Sequence, residues 1–293
     1  MTGMSRRTLV RALPALAVMP VAGTASAAVP DRVVRFGLTP VVVQENLQFF
    51  NAWRRYLEER IGRPLRFVQR RSYREIIQLL EAGEIDFAWI CGYPFVRRRE
   101  TDFLDLLAVP VFDGQPLYRS YVIVHRDSAV RGLAGLAGCS FAFSDPDSNS
   151  GYLAPRGMLQ RMGHAPEQHF RLTFFTYNHA ETVEAVADRF ADGGAVDSYV
   201  WEYLARTRPE LTGQTRVIEW SEPFGFPPLV ARRGSEPALV ARMRSALLDM
   251  SGAAEGRRLL KDLALDGFRE GDAALYDGIR ALAAWIGDKG GTP

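Results

Sequence analysis

A chain of 293 residues with 36 Lys and Arg against 34 Asp and Glu is long enough for one large domain or for two lobes with real cores. Its first 27 residues hold three of the arginines and no acid, so the remainder sets 33 basic side chains against 34 acidic ones. That balance lacks the concentrated basic face that nucleic-acid binding requires, and the runs Arg97 to Arg99 and Gln69 to Arg71 read as solvated ends of helices or strands.

Residues 1–27 end on Ala25-Ser26-Ala27 after an apolar run and have the form of a cleavable export signal. The run from Ala12 to Ala22 contains two prolines and is too short to span a bilayer. "SRRTLVR", Ser5 to Arg11, is similar to the twin-arginine motif of folded-protein export; an ordinary Sec signal with two accidental arginines is the alternative. No cysteine lies directly after the run, so a lipid anchor has no attachment residue there. The expected mature chain is soluble and periplasmic.

Short apolar strands then alternate with amphipathic segments. "RVVRFGL" reads as a buried strand, and "ENLQFFNAWRRYLEER" places Leu47, Phe50, Trp53 and Leu57 on one helical face. "PLRFVQR" is a second strand, followed by the helix "SYREIIQLLEAG" with Ser72 as N-cap, Glu75 completing a capping box and Gly83 at its end. "IDFAWI" is a third strand, "YPFVRRRE" a helix and "LDLLAVPVF" a fourth strand, a spacing that implies parallel crossovers in an α/β sheet. After the long β-rich run "YRSYVIVHRDS" the grammar restarts with "SFAFS" as strand and "GYLAPRGMLQRMG" as helix, then "RLTFFTY" and "HAETVEAVADRFADG". "AVDSYV" ends a strand, "WEYLART" is a helix, and "QTRVIEW" and "PPLVARR" return as strands. From Pro237 the chain reads as helical, with breaks at Gly252 and Gly267. The pattern describes two α/β lobes, with residues 117–125 and 215–232 as the crossings and the C-terminal helices completing the first lobe.

Catalytic signatures are mostly missing. The sequence contains no G-x-S-x-G and no S-x-x-K, and neither Lys261 nor Lys289 follows a glycine, which excludes a P-loop. His125, His164, His169 and His179 show no H-E-x-x-H spacing, and the two cysteines no C-x-x-C, so neither a zinc site nor a cofactor is expected. Cys91 and Cys139 could form one disulfide in an oxidising compartment, a point the sequence leaves open.

"SDPDSNSGYLAPRG", Ser144 to Gly157, is the most informative stretch. A strand runs into a polar turn that opens a helix, and free N–H groups at the positive end of a helix dipole suit a tetrahedral anion. Ser148, Asn149 and Ser150 add side-chain donors, and Gly151 permits close approach to the backbone. The same residues would also serve as a plain helix cap. Pro155 belongs in the first helical turn, which sets the helix start between about Ser150 and Ala154.

"DPDSNSGYLAP" resembles the D-P-x-S-x-S-G-[YF]-L-x-P segment of the PhnD-like family, the periplasmic solute-binding proteins of phosphonate, phosphite and phosphate ABC transporters. "IDFAWICGYPFV", "YRSYVIVHRDS" and "YNHAETVEAVADRFADGGAVDSYVWE" look like further family segments, so the resemblance spans nearly the whole mature chain. It implies a two-lobed type II periplasmic binding fold, each lobe a mostly parallel sheet flanked by helices, with two crossing strands as hinge. Lobe 1 would be residues 28–120 with 225–293, and lobe 2 residues 121–224. It also implies an oxyanion held by the Ser148–Ser150 turn, with His179 as a further contact. Asp197 would lie at the cleft, or equally cap the helix near Tyr199. Tyr118 is a hydroxyl donor or a packed hinge residue.

Two departures from the family stand out. Cys91-Gly92 replaces its Gly-Pro, and Phe95 replaces Tyr, removing a hydroxyl. Cys91 is a small buried hydrophobe or, because similar proteins sense arsenite, a thiolate ligand; Cys139 lies away from the cleft and is expected to be structural. The expected function is capture of a small oxyanion by a monomer for an ABC transporter permease. The alternatives are a sensor feeding a membrane histidine kinase, and an enzyme on a phosphorylated molecule using His179 as acid or base.

Overall fold

The computed structural model describes residue 2 and residues 32–40, 47–99 and 103–287; apart from residue 2, the expected export signal lies outside them, as do Glu45 and Asn46 of the expected first helix. The chain begins with β1 (Val34–Leu38), α1 (Leu47–Ile61), β2 (Leu65–Gln69), α2 (Tyr73–Glu81), β3 (Phe87–Trp89), α3 (Gly92–Arg99) and β4 (Leu104–Val111). It crosses through β5 (Leu117–Tyr118) to β6 (Ser120–His125), β7 (Ser140–Phe143), α4 (Ala154–Arg161), α5 (Pro166–His169), β8 (Leu172–Phe175), α6 (His179–Ala187), β9 (Gly193–Asp197), α7 (Ser198–Thr207), α8 (Pro209–Thr212) and β10 (Thr215–Trp220). It returns through β11 (Phe224–Gly225) to β12 (Leu229–Arg232), α9 (Pro237–Leu248), α10 (Ala254–Asp262), β13 (Gly267–Arg269) and α11 (Asp277–Trp285).

These strands form two sheets, ordered β13-β4-β12-β3-β1-β2 and β10-β6-β9-β7-β8, with β5 and β11 pairing as a ribbon at the crossing. Most strands of each sheet share one direction, but β12 stands between β3 and β4 and is antiparallel to both, and β6 stands likewise between β9 and β10. The sheets are therefore mixed, and the parallel crossover expected from β3 to β4 does not join neighbours. The reason is geometric. A strand arriving from the other lobe enters at the end where the resident strands finish, so Leu229 opens β12 opposite Trp89, and Ser120 opens β6 opposite Asp197.

Helix α1 buries Phe49, Trp53, Tyr56, Leu57 and Ile61. Leu47 is 76% exposed, so the buried stripe shares Trp53 and Leu57 with the expected one but is rotated away from Leu47 and Phe50. Trp53 sets that rotation, since its indole packs on the rings of Phe36, Phe67 and Trp89; truncating so large a core side chain costs about 3–5 kcal/mol. The capping box of α2 is present, with the Ser72 hydroxyl accepting the Glu75 N–H and the Glu75 carboxylate accepting the Ser72 N–H. Gly267, expected as a helix break, opens β13, an edge strand antiparallel to β4.

Candidate functional site

Strand β7 delivers the chain to Ser144, and the segment 144–148 leads into a π-helical turn, Asn149–Leu153, that continues as α4. Pro155 follows the π turn at the start of α4, and the two carbonyls its missing N–H leaves unbonded, Ser150 and Gly151, accept the Ser120 hydroxyl and the Ser144 N–H instead. Ser148 is the cap residue, and its Oγ accepts the Gly151 N–H at 2.9 Å. The carbonyl of Ser150 accepts the Ser120 hydroxyl at 2.6 Å, which ties the turn to the first residue of β6. A Cβ at Gly151 would stand 2.5 Å from Ser144 Cβ and 3.1 Å from His179 Cε1, so the turn approaches both as only glycine allows. Beneath it, the Ser144 hydroxyl bonds Thr182 Oγ1 and the Ala195 carbonyl, linking β7 to α6 and β9.

His179 is the first residue of α6, whose cap is Asn178, and it is buried. Its Nδ1 accepts the Asp197 N–H at 3.1 Å, so the ring proton is on Nε2. Burial drives its pKa down to about 3, and the imidazole is a neutral donor. Asp197 ends β9 and does cap α7, with Oδ1 accepting the N–H groups of Tyr199 and Val200. Its other oxygen has no partner among the described residues. Burial raises its pKa to about 8 against the lowering effect of those two N–H groups, so near pH 7 it is largely a neutral carboxyl group.

The first lobe closes the other side. The Tyr118 hydroxyl, at the end of β5, accepts Asn149 Nδ2 at 3.0 Å and lies 3.9 Å from Cys91 Sγ. The Asn149 N–H donates to Cys91 Sγ at 3.2 Å. Burial pushes the Cys91 thiol up to about 11 and the Tyr118 phenol well above its ordinary range, so both keep their protons. Cys91 and Cys139 are both free thiols, Cys91 buried and Cys139 half-buried. Phe95 turns its ring onto Tyr276, at 4.9 Å between centroids, so its departure from the family tyrosine falls in the packing of α3 rather than against the anion turn. Gly92 lets α3 pack closely on α11, since a Cβ there would stand 2.6 Å from Ile279 Cδ1.

All eight residues singled out from the sequence, Ser148, Asn149, Ser150, Gly151, His179, Asp197, Cys91 and Tyr118, thus meet around one turn. Tyr73 was not among them. It is the first residue of α2, packs against Cys91 and buries its hydroxyl beside the Ser148 side chain, with no hydrogen bond of standard geometry among the described residues. Eight buried side-chain nitrogen and oxygen atoms lack a partner among the described residues, and five belong here: Tyr73 Oη, Asn149 Oδ1, Ser150 Oγ, His179 Nε2 and Asp197 Oδ2. Buried polar groups are satisfied in nearly all native structures, and four of these five can donate. Neutral hydroxyl, imidazole and carboxyl donors around a helix start are the complement of a small oxyanion.

Two α/β lobes joined by two crossing strands, with such a turn between them, define a type II periplasmic binding protein. The family model for the periplasmic substrate-binding protein of phosphonate ABC transporters matches residues 36–276, and the chain belongs to that family. It is 24% identical over 263 residues to a phosphonates-binding periplasmic protein of Escherichia coli, covering 86% of this chain and 76% of that one. It is also 24% identical to a phosphate-import protein of Mycolicibacterium smegmatis, covering 77% of this chain and 71% of the other. Among solved structures, a binding protein component of an ABC phosphonate transporter from Pseudomonas aeruginosa superposes with a TM-score of 0.79 at 24% identity, over 87% of this chain and 86% of that one. PhnD1 of Prochlorococcus marinus in complex with methylphosphonate gives 0.77 at 20% identity, over 87% and 98%.

Proposed function

We propose that this chain captures a phosphonate, phosphate or phosphite in the periplasm and presents it to the permease of an ABC importer. The observation that carries the reading is the gathering at the Ser148–Gly151 turn of Ser150 Oγ, His179 Nε2 and the Asp197 carboxyl, buried and without partners among the described residues, with Tyr73 Oη beside the Ser148 side chain. In this reading the turn and its donors bind the tetrahedral oxygens, and Asn149 and Tyr118 hold the two lobes in register over them. The moving parts are residues 28–120 with 225–293, and residues 121–224. A ligand closes them only through its better fit to the closed arrangement.

The protein acts by binding, without turnover. His179 is a donor here rather than an acid or base, because its pKa of about 3 leaves it without a usable proton equilibrium near neutrality. A monomer exported by a signal over residues 1–27, of the twin-arginine type, fits this role. Discrimination among oxyanions follows from groups a wrong ligand leaves unpaired in a buried site. Titration calorimetry with methylphosphonate, phosphate, phosphite and sulfate tests the proposal: saturable binding of at least one phosphorus oxyanion, weakened in Ser150→Ala, is expected, and no binding of any of them refutes it.

A further inference from the structure

The residues just before the anion turn carry a second arrangement, one that spans the two lobes. Asp147, in the second lobe, is 8% exposed, and its two oxygens face two arginines of the first lobe. Oδ1 accepts Arg97 of α3 at 3.0 Å, and Oδ2 pairs with Arg74 of α2 at 3.5 Å. Asp145 is 2% exposed; its Oδ2 accepts the Tyr73 N–H at 3.2 Å, at the start of α2, while its Oδ1 accepts the Asp147 N–H at 2.7 Å. The Asp147 N–H bond to Asp145 Oδ1 couples the two residues across Pro146, and burial raises the Asp145 carboxyl to about 7. Both reach across the cleft to groups some seventy or fifty residues earlier in the chain, and neither supplies a donor to the anion turn.

We propose that Asp145-Pro146-Asp147 is a clasp that sets the open–closed balance of the two lobes. Its two side chains hold Tyr73 N–H, Arg74 and Arg97, so closure is stabilised by contacts separate from those made to ligand. The segment leads directly into Ser148, which makes formation of the clasp and positioning of the anion turn one event. Ligand affinity then depends on the clasp through the closed population rather than through contact with the ligand.

Cys91 is a built-in reporter. It is 1% exposed and roofed by the Asn149 N–H across the cleft, so a thiol reagent reaches it only when the lobes part. In a Cys139→Ser background, which removes the other thiol, the rate at which dithionitrobenzoate labels Cys91 in ligand-free protein should rise about fivefold in Asp147→Asn, the size expected for losing partly buried ion pairs. Arg97→Gln should raise it as well, and combining Arg97→Gln and Arg74→Gln with Asp147→Asn should add nothing further. The urea midpoint separates lobe opening from unfolding. Faster labelling with an unchanged midpoint supports the clasp; an unchanged labelling rate in both Asp147→Asn and Arg97→Gln, or a rise that tracks a lower midpoint in both, overturns it. The proposal does not depend on which anion is bound, because this readout uses no ligand; failure to bind methylphosphonate would strike the functional reading and leave the clasp standing.

Discussion

The Nδ1 atom of His179 accepts the backbone N–H of Asp197 at 3.1 Å, and this one bond settles which way the imidazole can act. With Nδ1 occupied as an acceptor, the ring presents Nε2–H, which has no partner among the described residues. Burial holds its pKa at about 3. Because the folded pKa is depressed below the ordinary value of 6.5, the contribution of His179 to stability is present above pH 6.5 and is lost as pH falls toward 3. Nitrogen NMR of the ring should therefore show one neutral Nε2–H tautomer from pH 5 to pH 8. A titration of His179 near pH 6.5 would be incompatible with this arrangement.

Asp197 behaves oppositely. Its carboxyl group is raised by burial to about 8, so the proton on the free oxygen is available to an anion at neutral pH and departs as pH rises through 8. The associated stabilisation is complete below the ordinary carboxylate pKa of 3.8 and is lost as pH rises through 8. Affinity for methylphosphonate should fall between pH 7 and pH 9, where a carboxylate would repel the ligand. In Asp197→Asn, which keeps the acceptor for Tyr199 N–H and a fixed donor, that fall should disappear; an identical fall in the variant would mean another group titrates.

Ser150 Oγ has no partner among the described residues and Tyr73 Oη only the nearby Ser148 side chain, with no hydrogen bond of standard geometry, so their removal should separate binding from folding. Hydrogen bonds to charged groups contribute about 1.5–3 kcal/mol. Ser150→Ala and Tyr73→Phe should each weaken oxyanion binding roughly tenfold to a hundredfold, while stability measured by urea unfolding changes by no more than about 0.5 kcal/mol. A large loss of stability with unchanged affinity would assign these hydroxyls a structural part instead.

Gly151 should tolerate nothing larger. A methyl group 2.5 Å from Ser144 Cβ must displace either Ser144, and with it the bonds to Thr182 and Ala195, or the turn itself. Gly151→Ala is expected to cost about 1–3 kcal/mol, as overpacked sites do, and to abolish binding. Calorimetry on the folded variant checks the second part; wild-type affinity would show that the turn can yield.

Much of this was legible in the residues, for reasons that differ by element. The polar stretch after "SFAFS" orders a strand, a glycine and a proline as a strand-to-helix turn does, and the turn is there; but Ser148 caps Gly151, Asn149 donates to Cys91 and Tyr118, and of its side-chain donors Ser150 Oγ alone has no partner among the described residues. The capping box at Ser72 was readable because both partners lie three residues apart. The same reading passed over Tyr73, the next residue, because nothing local reveals that α2 starts against the opposite lobe. Asp145 and Asp147 were legible only as loop polarity, since their partners Tyr73, Arg74 and Arg97 are distant in the chain. The order of the sheets was hidden too. Periodicity reports strands, but β12 between β3 and β4 follows from the path of the chain between lobes, and Trp53 rather than the apolar count rotates α1 toward Phe49.

The central claim is that the Ser148–Gly151 turn holds a phosphorus oxyanion, and titration calorimetry of the wild type beside Ser150→Ala tests it most directly. The expected result is saturable one-to-one binding of methylphosphonate, phosphate or phosphite by the wild type, weakened at least about tenfold in the variant. Equal affinities in the two proteins, or no heat from any of the three ligands, would contradict it.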